Sequence, residues 1–249
     1  MSLVRKIKES IITKWIVLYY TFFFILGTYL LLQLLFTTLQ FLFFGDPQQA
    51  VTLQGFNVVI DGVDHQIWDL PQFHISIIIS SVIIAGMIWL ATKLVMKGNP
   101  IRNLGFIQIR KEHYVWFLYS LVVLCVGILL REFVIGTTDI VINAENSVEK
   151  ILILFGLVLF GPLFEEVLFR GYLQTRTDAI LNNKYPWISI LVTAALFSVF
   201  HFQYAPLEMI YIFGIGIFLS LMRLKTGSLW FPIIFHVVGN LYAVLTIIL

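Results

Sequence analysis

Apolar runs set the terms for this chain. Seven of them, at residues 15–44, 73–96, 114–135, 151–175, 187–202, 207–224 and 229–249, follow one another along the sequence. Each approaches or exceeds the ~20 residues that a helix needs to cross a bilayer. They leave little room for charge: only 12% of residues are Asp, Glu, Lys or Arg, and mean hydropathy is +0.94. Soluble domains carry about 25% charged residues, because a globule of this size still needs a polar coat. A water-soluble globule, a disordered chain and a nucleic-acid binder are therefore excluded. The fold class expected is all-α, a polytopic helical membrane protein of about seven transmembrane helices, in one membrane domain over residues 1–249.

The first run has a basic start like a signal peptide. Its apolar stretch is too long, however, and Phe43-Phe44-Gly45-Asp46-Pro47 is no small-x-small cleavage site. It reads as an uncleaved span. Placement of Lys and Arg then sets the orientation. The N-terminus carries Arg5, Lys6, Lys8 and Lys14, and the second loop Lys93, Lys97, Arg102, Arg110 and Lys111. Arg176, Lys184, Arg223 and Lys225 mark the fourth and sixth loops. The first loop instead holds Asp46, Asp61, Asp64 and Asp69, the third is mainly acidic, and the fifth has only Glu208. This alternation predicts seven crossings, with the N-terminus cytoplasmic and the C-terminus outside.

No internal repeat or low-complexity tract is evident. Residues 51–53 and 56–60 around Gly55 are candidates for a hairpin or a re-entrant piece. His65, His74 and His113 read as ordinary interfacial residues, and the lone Cys125 reads as inert packing in an apolar run.

Ionisable groups inside spans are costly, so each is a functional hypothesis. The fourth span contains Gly161-Pro162-Leu163-Phe164-Glu165-Glu166-Val167-Leu168-Phe169-Arg170-Gly171, the fifth Phe197-Ser198-Val199-Phe200-His201, and the seventh His236-Val237-Val238-Gly239-Asn240. Helical spacing puts Glu166 and Arg170 on one face, the acid first, in the favourable order for an ion pair. Glu165 is turned by ~100° from Glu166 and is left for other work. His236 and Asn240 share a face, and Phe197 lies one turn below His201, where it can buttress the ring. Counted from residue 183 at the tip of the hairpin between the fourth and fifth spans, Glu165 is 18 residues back and His201 is 18 forward. The two are therefore level. With His236 ~14 Å past the turn at Gly227, the site is expected in the cytoplasmic half, open to water. Pro162 cannot donate to the Val158 carbonyl and predicts a kink just before the glutamates.

A glutamate facing a histidine can activate water and pass protons to a leaving group. His236 and Asn240 could donate to the oxyanion of a tetrahedral intermediate. Glu165, His201 and His236 also make up the ligand set of a two-histidine, one-carboxylate zinc site, although no H-E-x-x-H spacing is present. Transport would call for matching broken helices in both halves, which the N-terminal half lacks. A purely structural polar network is the remaining alternative.

The ordered set Glu165-Glu166-x-x-x-Arg170, Phe197-x-x-x-His201 and His236-x-x-x-Asn240 resembles the CPBP family (CAAX prenyl protease and bacteriocin-processing, also called abortive-infection) of intramembrane endopeptidases. Phe169-Arg170-Gly171-Tyr172-Leu173 and Thr226-Gly227-Ser228-Leu229-Trp230-Phe231-Pro232 support the likeness, which covers about residues 161–240. The resemblance implies peptide-bond hydrolysis in the membrane. Residues 151–249 would form the catalytic core and residues 1–150 the family-variable helices. It implies that Glu165 and His201 activate water, His236 and Asn240 hold the oxyanion, and Glu166, Arg170 and Phe197 support them. It favours a glutamate-type mechanism with no cofactor, zinc being the alternative. A membrane-associated peptide or protein substrate in a bacterial plasma membrane is implied, with roles in bacteriocin immunity, peptide-signal maturation or surface-protein control. A non-proteolytic membrane immunity or scaffold protein is the competing reading.

Overall fold

The computed structural model describes residues 11–44, 51–54, 57–60, 63–66, 70–135 and 146–247. The long helices are α1 (Ile11–Phe44), α2 (Pro71–Val95), α4 (Tyr114–Leu130), α5 (Ser147–Ile180), α6 (Pro186–Val199), α7 (Pro206–Thr226) and α8 (Trp230–Ile247), with a short α3 (Pro100–Leu104) after α2. Among the described residues, five helical stretches are long and apolar enough to cross a membrane, while α6 and α8 are shorter apolar helices. Many large apolar side chains point outward, among them Tyr20, Leu31, Leu94, Leu118 and Ile210. That is the arrangement expected where lipid, not water, covers the surface.

Among the described residues, the exception to helix lies between α1 and α2. Strands β1 (Val51–Gln54), β2 (Asn57–Ile60) and β3 (Val63–Gln66) form an antiparallel sheet, with Gln54 opposite Asn57 and Ile60 opposite Val63. The hairpin expected in this loop is thus a three-stranded meander. His65 falls on β3 and its side chain lies outside the described residues.

Local chemistry explains the helix ends. Pro71, Pro100, Pro186 and Pro206 start four helices, at positions where a missing N–H costs nothing. The Asn99 side chain caps α3 by accepting from Ile101 and Arg102 N–H, and Asn146 caps α5 in the same way at Val148 and Glu149. Helix α3 stops at Gly105 with φ +96°, where a Cβ would come within 2.5 Å of the Arg223 guanidinium carbon. Only glycine suits both the backbone and that contact. Arg223 donates to the Gly227 carbonyl and to Thr175 Oγ1, while Leu229 N–H donates to the Gly105 carbonyl. These contacts join α3, α5, α7 and α8 at the end of the molecule that carries the basic loops.

Helix α5 runs through the middle of the packing. Leu168, Tyr172 and Leu173 are fully buried, and Phe169 is nearly so. They pack with Leu18, Phe22 and Ile25 of α1 and with Ile84 and Ile88 of α2. At Gly156 a Cβ would meet His74 Cβ at 3.2 Å, so α2 and α5 approach closely there. His74 is consequently buried, not interfacial as its place near a helix start suggested. His113 lies on the turn before α4, 3.7 Å from Glu112 and edge-on to Phe231. Cys125 also departs from expectation: its helix turns it outward to the exposed surface.

Candidate active site

Helix α5 widens twice around the glutamates. Residues Leu154–Phe160 and Val167–Gln174 have π-helical turns, and the α-helical Gly161–Glu166 lies between them. Pro162 lacks the N–H that would continue the ladder, and Gly161 N–H reaches back to the Gly156 carbonyl. A wider turn accommodates this defect without a break, and such turns recur at functional sites. The kink expected at Pro162 takes this form.

The buried ion pair expected from spacing is present. Arg170 Nη1 donates to Glu166 Oε1 at 2.9 Å, with both side chains fully buried. A second guanidinium nitrogen donates to the Gly216 carbonyl at 3.2 Å, and the guanidinium carbon sits 4.3 Å from the Phe197 ring centroid. One contact was not legible in the sequence: His236 Nδ1 lies 2.9 Å from the same Glu166 oxygen. Glu166 therefore accepts from α5 and α8 at once. It fixes the His236 ring and leaves Nε2 to face Glu165.

His201 lies beyond the end of its helix, in the turn that follows α6, rather than inside the span as the apolar pattern suggested. Pro206 a few residues on disfavours a longer helix. The imidazole helps to end it. His201 N–H bonds the Ser198 carbonyl, while His201 Nδ1 takes the Phe197 carbonyl at 2.7 Å that a further helical turn would have used. The Phe197 ring is buried 4.7 Å from the His201 ring and 5.8 Å from the His236 ring. It thus spaces the two imidazoles and supports Arg170 as well.

These constraints bring three polar atoms together. Glu165 Oε2 is 3.7 Å from His236 Nε2 and 4.0 Å from His201 Nε2. Both separations exceed a direct hydrogen bond and suit one water bonded to both sides. The side chains of Glu165, His201 and His236 are 26%, 19% and 11% exposed, so the cluster is sheltered but reachable. Each histidine donates from Nδ1, to a backbone carbonyl or to Glu166, which leaves Nε2 of both rings on the side of Glu165. Asn240, one turn beyond His236, donates Nδ2 to the Leu157 carbonyl at 2.9 Å in the first wide turn. Its second N–H is not used by that bond. Among the described residues, no group of three His, Cys, Asp or Glu is arranged to hold a metal ion.

Two neighbours carried no sequence signal beyond being polar in apolar surroundings. Tyr204 stacks against His201, with ring centroids 6.1 Å apart. Tyr29 of α1 stacks on Phe164, the residue before Glu165, at 3.8 Å.

Residues 147–242 match the family model described as type II CAAX prenyl endopeptidase Rce1-like. An Escherichia coli protein described as an uncharacterized 24.3 kDa protein is 28% identical over 138 residues, covering 52% of this chain. The chain spans 62% of the length of that curated relative. No solved structure matches the chain. Over residues 147–242, the segment that carries Glu165, Glu166, Arg170, His201, His236 and Asn240, the chain is similar to the Rce1-like type II CAAX prenyl endopeptidases.

Proposed function

We propose that this chain is an intramembrane endopeptidase of a bacterial plasma membrane that hydrolyses a peptide bond of a membrane-associated peptide or protein. The observation that supports this reading is the convergence of Glu165 with the Nε2 atoms of His201 and His236, at 4.0 and 3.7 Å. A water between Glu165 and His201 gives up a proton to that pair as its oxygen bonds to the scissile carbonyl carbon. The oxyanion that forms is met by the spare Asn240 N–H and by His236 Nε2. His236 donates there only when doubly protonated, the form whose charge the Glu166 carboxylate pairs with. Collapse of the intermediate breaks the C–N bond, and the proton taken from water goes to the leaving amine.

This mechanism needs no metal. Zinc held by Glu165, His201 and His236 is the competing chemistry, and a chelator separates the two. Activity that survives chelation, in protein without stoichiometric zinc, supports the glutamate mechanism. Loss on chelation with rescue by zinc overturns it.

Purified protein in lipid nanodiscs with quenched peptides provides the main test. Glu165→Gln and His201→Ala are each expected to lose at least ~100-fold in kcat while melting like the wild type. In cells, peptides and small membrane proteins that accumulate with Glu165→Gln but not with the wild type identify the substrate. A bacteriocin, a peptide signal or a surface protein would fit the site. A cellular phenotype that survives Glu165→Ala and Glu165→Gln at normal expression would instead make the chain a non-proteolytic immunity or scaffold protein.

A further inference from the structure

Three helices meet at Gly216 of α7, a residue that belongs to none of the polar motifs. It is buried. A Cβ built on it would lie 3.2 Å from both Cα and Cβ of Ala194 on α6, and 3.4 Å from Phe197 Cδ1. The missing side chain thus lets α6 and α7 approach closely, as small residues do between membrane helices. The carbonyl of the same residue serves α5. It accepts from Arg170 Nη2 at 3.2 Å, through a lone pair beyond the one that a helical ladder uses. One turn on, Gln174 Nε2 donates to the Ser220 carbonyl at 3.0 Å, so α5 grips α7 at two successive turns.

The groups that Gly216 touches are those that order the site. Arg170 donates to Glu166, the carboxylate that also meets His236 Nδ1. The Phe197 ring stands 4.7 Å from the His201 ring and 5.8 Å from the His236 ring. Arg170 bridges the two neighbouring helices, bound to α7 through the Gly216 carbonyl and set 4.3 Å from the Phe197 ring of α6. A methyl at position 216 would press on the Ala194 backbone, which cannot rotate aside, so α6 and α7 would have to part by a few tenths of an ångström. Whichever helix moved, Arg170 would lose fit with one of them. Its bond to the carbonyl already stands at the long end of the N–H···O range.

We infer that Gly216 is a positioning residue for the candidate active site. Its bare Cα sets the spacing of α6 and α7, and its carbonyl fixes the guanidinium, so that Phe197 and Glu166 hold the two imidazoles toward Glu165. This inference rests on the reading of Glu165, His201 and His236 as the reacting groups.

Gly216→Ala should fold, because the helix propensity gained opposes the crowding. It should keep KM within about two-fold and lose ~10-fold in kcat, the pattern of interactions felt mainly in the transition state. Gly214→Ala on the same helix is the control: a Cβ there meets nothing within 4 Å, and kcat should stay at the wild-type value. Adding Ala194→Gly to Gly216→Ala removes one crowded atom while placing a glycine inside α6. The pair should regain several-fold in kcat although glycine disfavours the helix. A readout that does not depend on catalysis comes from a double-mutant cycle. Gly216→Ala should shift the melting midpoint less favourably in the wild type than in Glu166→Gln/Arg170→Ala, where no guanidinium reaches the carbonyl. Wild-type kcat in Gly216→Ala overturns the inference, as does a pair no more active than the single variant or an equal melting shift in both backgrounds. Failure of Gly216→Ala to fold would also overturn it, since the role would then be structural. If the wild type itself hydrolyses no peptide, the proposed function fails, and the melting cycle alone decides whether Gly216 positions Arg170.

Discussion

At residue scale, Glu166 is the point on which the site's order depends. It accepts from Arg170 at 2.9 Å and from His236 at 2.9 Å, both on one oxygen. Removing Arg170 would leave a buried carboxylate without its counter-ion, which costs about 3–5 kcal/mol. Arg170→Ala is therefore expected to melt well below the wild type and to lose activity. Glu166→Gln should restore part of the stability lost in that background, because the unpaired charge is gone. As a single change, Glu166→Gln keeps an acceptor for His236 Nδ1 but removes the charge that pairs with the imidazolium. It also leaves the buried Arg170 without its counter-ion, so it should melt below the wild type and lower kcat by ~10-fold or more with little change in KM. Melting curves in detergent and steady-state kinetics check each outcome.

Among the elements, α5 shows how a defect in one helix can serve a site. Pro162 and the wide turns on either side leave the Leu157 carbonyl accepting from Asn240 on α8. Pro162→Ala restores an N–H and removes a cost of ~3 kcal/mol within a helix. The expected result is a higher melting temperature with reduced kcat, the trade seen where a strained element supports function. Gly156→Ala has the opposite sign. Its methyl would press on His74 Cα and Cβ at 3.2–3.3 Å, and overpacking of this kind costs about 1–3 kcal/mol.

The same elements explain what the sequence could reveal. The Glu166–Arg170 pair was legible because a helix repeats every 3.6 residues. The level placement of Glu165 and His201 followed from counting along an antiparallel hairpin. The contact between His236 and Glu166 was not legible, since it depends on how α8 is rotated against α5, and no local period encodes that. Tyr29 was hidden for the same reason, 136 positions upstream of Glu165. The end of α6 before His201 had a visible cause in Pro206, but the apolar pattern runs past it.

For the whole molecule, the question is which way the site faces. The alternation of basic and acidic loops along the sequence predicts an N-terminus inside. Cysteines placed at Lys184 and Lys225, in a Cys125→Ser background, should react with a membrane-impermeant maleimide only in inside-out vesicles. A cysteine at Asp64 should react in right-side-out vesicles. The reverse pattern would turn the protein over. In the wild type, Cys125 is exposed on α4 among apolar neighbours, so it should resist aqueous maleimide in vesicles and react after detergent extraction.

Helix α6 has 14 residues, or ~21 Å of helix, against a hydrocarbon core of ~30 Å. Its end is the turn that holds His201. A helix this short is mismatched to ordinary lipid. A thinner bilayer beside it is one way such a helix is accommodated, and on the proposed function a substrate helix arriving there from ordinary lipid would find its flanks overlong and its backbone easier to unwind. Acyl-chain length then becomes a control on proteolysis: nanodiscs of short-chain lipid should support faster cleavage than long-chain ones at equal substrate density.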